Sequence, residues 1–113
     1  MEIKNIEDLK RVVGEMHDSE FIGKDLNYDS QKKTFNLKSR SSDRLHKFHL
    51  AIYNVEEYTS INLDKVNEGK ATGGVFNDIG VKNQGLNLEI ISQDLRIKLR
   101  LGKLAGSFNK FDE

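Results

Sequence analysis

The sequence predicts an α+β fold, in which an N-terminal helix packs on a mainly antiparallel meander sheet of six or seven strands. Apolar residues recur at every third or fourth position before residue 17, and at every second position in most segments after residue 20. These later segments are short and consecutive, and turn-forming residues separate them, as is typical of antiparallel hairpins. A chain of 113 residues has the size of one domain. We therefore expect a single domain over 1–113, with the helix in 1–17, the sheet in 20–101 and a tail in 102–113.

The first segment has the pattern of an amphipathic helix. Its apolar stripe consists of Ile3, Ile6, Leu9, Val12, Val13 and Met16. Asn5 is a favourable N-cap residue, because its side chain can accept a hydrogen bond from a free backbone amide of the first turn. Gly14 has a low helix propensity, so the helix is expected to end or fray near that residue.

Seven segments have the period of two that indicates β-strands. They are 22–28, 34–40, 47–55, 58–66, 75–81, 86–92 and 95–101. Gly23 within the first segment suggests a bulge, and Ile61 and Leu63 are expected to be buried in the fourth. A glycine-rich loop is predicted over 67–74.

The composition excludes several classes of protein. Eighteen basic residues balance eighteen acidic ones, so the chain has no net charge to attract nucleic acid or an anionic membrane. The absence of cysteine excludes disulfides and thiolate sites. No apolar run approaches the roughly 20 residues of a membrane helix, and the charged N-terminus does not resemble a secretory signal. These features predict a cytoplasmic protein that does not act at a membrane.

The triplet His17-Asp18-Ser19 has the composition of a hydrolytic triad. Three successive side chains generally diverge, whereas a triad requires its members to converge. The preferred interpretation is a junction between helix and strand, where short polar side chains satisfy free backbone groups. The alternative is a small-ligand or metal-binding site centred on His17 and Asp18. No catalytic residue, cofactor or metal ligand set is predicted, and the protein is expected not to be an enzyme.

A row of basic side chains is the most informative feature. Arg96, Lys98 and Arg100 alternate with apolar residues, so they project from the face opposite the core. Lys38 and Arg40 do the same in the second strand, as do His49 and Tyr53 in the third. If these strands are near neighbours, the seven residues form one predicted basic face. The simplest interpretation is an ordinary solvated face; an acidic protein partner is the second and nucleic acid, which is not expected, the third.

A resemblance to a group of small bacterial β-sheet proteins lies in the stretch MHDSEFIGKDLNYD and in the closing hairpins of GVFNDIGVKNQGLNLEIISQDLRIKLRL. Proteins of this group open their first strand with a His-Asp-Ser or His-Asp-Ala step, which His17, Asp18 and Ser19 match. Most are uncharacterised, and some are thought to be immunity proteins that neutralise a toxin from a neighbouring gene. The resemblance implies a non-enzymatic interaction module.

The expected partner is therefore another protein, which the basic side chains indicate would be acidic. A second copy of the chain is an alternative partner. A meander leaves two open strand edges, and the absence of proline removes one common means of protecting them from pairing. A homodimer formed through these edges is thus a further expectation.

Overall fold

A computed structural model describes residues 1–62, 74–93 and 95–113 of the chain. Within them, one α-helix packs against a ten-stranded antiparallel sheet, so the predicted fold class is confirmed but the number of six or seven strands is wrong. The elements are β1 (Glu2–Ile3), α1 (Ile6–Met16), β2 (Glu20–Phe21), β3 (Leu26–Asp29), β4 (Thr34–Arg40), β5 (His46–Ile52), β6 (Val55–Asn62), β7 (Gly74–Lys82), β8 (Asn87–Ser92), β9 (Leu95–Leu101) and β10 (Gly106–Asp112).

The strand order is not that of the predicted meander. Strands follow one another across the sheet as β1-β10-β5-β4-β2-β7-β8-β9-β6, and β3 pairs with β4 beside β2. Among the described strands, β3-β4-β5 and β7-β8-β9 are the runs of consecutive neighbours. The pairs β10–β5, β2–β7 and β6–β9 join strands that are distant in sequence. The sheet therefore has a first half (β1, β10, β5, β4 and β3) and a second half (β7, β8, β9 and β6), which the short β2 connects.

Three strands without a predicted counterpart, β1, β2 and β10, account for the difference from seven. The predicted strand 22–28 is replaced by β3, preceded by the short β2 and a 3₁₀ turn at Gly23–Asp25. Asp25 Oδ2 stabilises this turn by accepting a hydrogen bond of 2.9 Å from the amide of Ile22. The predicted tail contains β10, which lies next to the end of the strand order, paired with β5 along its length and with β1 at Gly106 and Ser107.

Two further expectations need correction or fall outside the structure. Ile61 is 42% exposed rather than buried, because β6 has the opposite alternation to the one predicted. Leu63 and the predicted glycine-rich loop lie outside the described residues, except for Gly74, which begins β7.

The helix begins and packs as its sequence indicates. Asn5 is the N-cap, and its Oδ1 accepts a hydrogen bond of 3.0 Å from the amide of Asp8. Leu9, Val12 and Met16 are buried against the sheet, with β7 as the principal neighbour of the helix. Ile3, which the stripe assigned to the helix, lies in β1 instead, and Gly14 lies inside the helix rather than at its end.

One hydrophobic core is shared by the helix and both halves of the sheet. The sheet curls so that β6, at one end of the strand order, contacts the β3–β4 hairpin. Tyr28 stacks on Tyr58 with 5.0 Å between ring centroids, and its hydroxyl donates a hydrogen bond of 2.8 Å to the carbonyl of Val55. Partial burial of the two tyrosine rings here supplies hydrophobic stabilisation without leaving the Tyr28 hydroxyl unpaired.

A buried polar pair holds β2 against β4. Ser19 and Ser39 are 1% and 6% exposed, and their hydroxyl oxygens are 2.9 Å apart in a hydrogen bond. The backbone around Ser19 is also fixed, because the amides of Asp18 and Phe76 donate to the carbonyls of Phe76 and Ser19 at 2.9 and 2.8 Å. This contact therefore ties the end of the helix to both halves of the sheet.

Removing one member of the serine pair should be more harmful than removing both. Ser39→Ala leaves the buried hydroxyl of Ser19 without its partner, and we expect a loss of about 1–3 kcal/mol in the free energy of unfolding. The double variant Ser19→Ala/Ser39→Ala should be within about 1 kcal/mol of the wild type, because no polar group is then left unpaired. Urea unfolding of the wild type, Ser19→Ala, Ser39→Ala and the double variant measures these values, and strictly additive losses would contradict the pairing.

Glycine to alanine should have opposite effects at two positions. A Cβ at Gly14 would have no atom within 4 Å, so Gly14→Ala should stabilise the protein by about 1 kcal/mol through helix propensity. A Cβ at Gly106 would collide with the carbonyl oxygen of Ala51 on β5. Gly106→Ala should therefore cost about 1–3 kcal/mol, as overpacking does. Thermal and urea unfolding provide the comparison, and equal effects at the two sites would refute this assignment.

Candidate functional site

The outer face of the first half-sheet gathers polar side chains in two adjacent rows. In the first row, Lys38 on β4 is opposite His49 on β5, which is opposite Asn109 on β10. In the second row, Arg40 is opposite Lys47, which is opposite Phe111. Residues two apart on a strand share a face and lie about 7 Å from one another, and neighbouring strands lie about 4.8 Å apart. The two rows thus form a compact surface that bears three cationic side chains and the imidazole of His49.

An open groove with a volume of about 970 Å³ runs from these rows over β2 towards the start of β7. We call it the cationic groove. Five cationic side chains line it, together with His49, two carboxylates and the apolar side chains of Ile22 and Phe111. The cations are Lys24, Lys38, Arg40, Arg44 and Lys47, and the carboxylates are Glu20 and Asp25. Of these carboxylates, Asp25 is already engaged with the backbone of its own turn.

The β4–β5 hairpin loop presents Arg44 at the groove. Asp43 Oδ1 accepts hydrogen bonds from the Ser41 hydroxyl at 2.6 Å and from the amide of Leu45 at 2.9 Å. The amide of Arg44 donates to the carbonyl of Ser41 at 2.9 Å, and Arg44 adopts a left-handed conformation with φ of 62°. The hydrogen bond from Ser41, followed by the one from Leu45, lowers the pKa of Asp43 below its usual value of 3.8. The Asp43 carboxylate thus joins the two ends of the loop through these hydrogen bonds.

His49 is the titratable group of the groove whose protonation depends most clearly on its surroundings. Its Nε2 lies 2.9 Å from Asn36 Oδ1, an acceptor, so this nitrogen carries the hydrogen of that bond. Partial burial lowers the pKa of His49 from 6.5, and the positive charge of Lys38 lowers it further. A bound anion would act in the opposite direction, because a nearby negative charge favours the imidazolium form.

The predicted basic face is divided between two parts of the molecule. Lys38, Arg40, His49 and Tyr53 lie on the outer face of the first half-sheet, where the Tyr53 hydroxyl donates to Ser107 Oγ at 3.1 Å. Three strands, β2, β7 and β8, separate β4 from β9. The condition for a single face, that the strands be near neighbours, is therefore not met.

The basic side chains of β9 are engaged by their own surroundings. Arg100 Nη2 lies 2.9 Å from Glu57 Oε1, and this hydrogen bond raises the pKa of Arg100. Lys98 is opposite Glu89 in the register with β8. Arg96 donates hydrogen bonds to the carbonyls of Ser92 and Leu95. Lys98 and Arg100 border a smaller hollow of about 350 Å³ over Gly80, and both acidic neighbours line it as well. With Lys82, the hollow has three cations and two carboxylates, a smaller excess of positive charge than in the lining of the cationic groove.

The triplet His17-Asp18-Ser19 does not converge on a common point. His17 and Asp18 are 55% and 66% exposed at the side chain, with Nδ1 and Oδ2 3.2 Å apart, whereas Ser19 is turned into the core. Asp18 holds the junction through its left-handed backbone, with φ of 66°, rather than through its side chain. Neither His17 nor Asp18 lines the cationic groove or the hollow over β9.

Sequence reasoning missed Lys47, Arg44 and Lys24 as members of the site. Lys47 could have been found, because it is two residues before His49 and four before Ala51 on the same strand face. Arg44 and Lys24 reach the groove through a hairpin loop and a 3₁₀ turn, which have no periodicity to indicate a direction. Phe111 was assigned to a tail, so its position beside Lys47 could not be anticipated.

Comparison with known proteins gives no relative: no family model, curated protein or solved structure matches this chain. In the described part of the chain, no group of three or more His, Cys, Asp or Glu side chains is arranged to hold a metal ion. Among the same residues, no helix has the length and apolar character to cross a membrane.

The pKa of His49 should report on the charge of Lys38. Because Lys38 lowers that pKa, Lys38→Met should raise it, as followed by NMR titration of the imidazole C–H resonances. Lys98→Met removes the same charge from the other half of the sheet and should leave the titration unchanged. The folded-state pKa of His49 is below 6.5, so the unfolded chain is protonated at His49 before the folded protein as the pH falls through 6.5. Protonation of His49 therefore lowers the free energy of unfolding over this range. Identical titrations in all three proteins would contradict the proposed electrostatics.

Proposed function

We propose that this protein is a non-enzymatic interaction module of the cytoplasm that binds an acidic region of another protein in its cationic groove. One observation carries the proposal. A chain with no net charge gathers five cationic side chains around one concave surface, whose described lining includes two carboxylates, Glu20 and Asp25, while a third, Glu113, pairs with Arg40. Charges that line a cleft with low-dielectric walls focus the field and raise the local concentration of oppositely charged ligands.

The composition of the groove favours a protein over a nucleic acid. The walls include Ile22 and Phe111, which are 43% and 52% exposed and can pack against apolar side chains of a partner. Proteins that bind single-stranded nucleic acid typically have several aromatic side chains on which bases stack, whereas Phe111 is the one exposed aromatic side chain among the described residues that line the groove. Glu20, opposite Arg40 in the register of β2 with β4, would also repel a continuous phosphate backbone.

The resemblance to small bacterial proteins that include immunity proteins supports the same class of function. An immunity protein acts by surface complementarity and needs no catalytic residue. Electrostatic complementarity also increases the rate at which such partners meet, because opposite charges steer the encounter. We therefore expect binding to weaken strongly between 0.01 and 1 M salt, as the Debye length falls from about 30 to about 3 Å.

Charge reversal in the groove tests the proposal. In an affinity capture from host cells, Lys38→Glu/Lys47→Glu should reduce recovery of a specific acidic protein by about tenfold or more, because like charges at an interface cost several kcal/mol. The matched control is Arg96→Glu/Lys98→Glu, which makes the same change in charge on the second half-sheet. Circular dichroism and thermal unfolding establish that both variants are folded.

The control variant makes the outcomes distinct. Loss of the partner only in the groove variant supports the proposal, whereas equal recovery from all three proteins overturns it. Loss only in the Arg96/Lys98 variant would move the binding surface to β9. A signal that disappears on nuclease treatment would replace the acidic protein with nucleic acid, and light scattering of the purified protein would distinguish self-association from capture of a partner.

A further inference from the structure

The C-terminal end of β10 brings acidic side chains of the chain itself to the cationic groove. In the register of β10 with β5, Phe111 is opposite Lys47 and Asp112 is opposite His46. The next residue, Glu113, is held by a hydrogen bond of 3.0 Å from its amide to the carbonyl of Leu45. The β5 pairing thus carries Glu113 past the end of the strand and beside the hairpin loop that presents Arg44.

Glu113 makes a close contact with one of the groove cations. Its Oε1 lies 2.7 Å from Arg40 Nε, the shortest ion-pair distance among the described residues. The Glu113 side chain is 20% exposed, the lowest value for an acidic partner in those ion pairs, and Arg40 is 44% exposed. Asp112 is a weaker neighbour: its Oδ1 is 3.3 Å from His46 Nδ1, a buried atom that makes no hydrogen bond of good geometry among the described residues.

We propose that the Glu113 carboxylate is an internal ligand of the cationic groove, which an acidic partner must displace from Arg40 before it can bind fully. This inference rests on the proposed function and adds its regulation. The groove is then partly self-inhibited, because the binding-competent form is the fraction in which Arg40 is released. The apparent dissociation constant exceeds the intrinsic one by the reciprocal of that fraction.

The size of the effect follows from the exposure of the pair. Ion pairs that remain partly exposed to solvent contribute modestly, and the usual range converts to a factor of about two to five in an equilibrium constant. An Arg40–Glu113 ion pair of this strength lowers the affinity of the groove for an acidic partner without preventing binding. The internal contact also indicates which groups of a partner the groove accepts. A carboxylate of the partner would take the place of Glu113 on Arg40, close to the Phe111 ring beside Lys47.

The test uses a fluorescent hexaglutamate peptide and fluorescence anisotropy at low salt. Glu113→Gln should bind the peptide about two to five times more tightly than the wild type, because Arg40 is no longer occupied. The matched control is Glu15→Gln, which removes the same charge from a surface ion pair, Glu15 Oε2 with Lys110 Nζ at 3.2 Å, outside the groove. Arg40→Gln should weaken binding, and adding Glu113→Gln to it should give no further gain.

The outcomes separate this inference from the proposed function. Peptide binding that is lost in Lys38→Glu/Lys47→Glu but is unchanged in Glu113→Gln overturns the internal ligand and leaves the groove as the binding site. The same gain in Glu15→Gln or in the Arg40→Gln background also overturns it, since the effect would then be one of overall charge. Failure of both the wild type and Glu113→Gln to bind overturns both proposals.

Discussion

The architecture depends on a two-residue strand. Glu20 of β2 pairs with Arg40 on one side and with Val75 on the other, so among the described strands β2 is the one that pairs with both halves of the sheet. So short a strand makes few backbone hydrogen bonds of its own. The amides of Asp18 and Phe76, together with the buried hydroxyls of Ser19 and Ser39, add the contacts that hold it in place. A buried hydroxyl that lost its partner would be destabilising, so this junction has little freedom to shift.

The candidate site is a consequence of the same junction. The cationic groove runs across β2, with Arg40 and Lys47 on one side and the start of β7 on the other. Strands β4 and β7 do not pair with each other. Each pairs with one edge of β2, which places them on opposite sides of the groove. The positive charge of the groove has the same origin, since basic side chains of the β4–β5 hairpin and Lys24 in the turn after β2 meet there. The groove is therefore a property of how the halves join, not of any one sequence motif.

Local features of the fold could be predicted from the sequence, and long-range ones could not. The strands β4 and β9 have clear periodicity and agree with the structure in their predicted bounds, and the helix agrees in its Asn5 cap, although it begins at Ile6 and leaves Ile3 in β1. The pairing of β10 with β5 could not be predicted, because the local sequence around Phe108 and Phe111 is as compatible with an unpaired tail as with a strand. For the site, Lys38, Arg40 and His49 were placed on one face correctly by alternation. The separation of that face from Arg96 and Lys98 depends on strand order, which periodicity does not encode.

The position of β10 between β1 and β5 also affects the order in which the sheet can fold. β5 is paired with β4 on one edge and with β10 on the other, and residues 106–112 are synthesised more than fifty positions after β5. Until residues 106–112 have been synthesised, one edge of β5 is unpaired. β5 contains Phe48, Leu50 and Ile52, and an unpaired apolar strand of this kind can pair with another chain. Folds dominated by such distant pairings complete in milliseconds to seconds rather than microseconds. Assembly of the first half-sheet is thus tied to the end of β10, the same segment that delivers Glu113 to the groove.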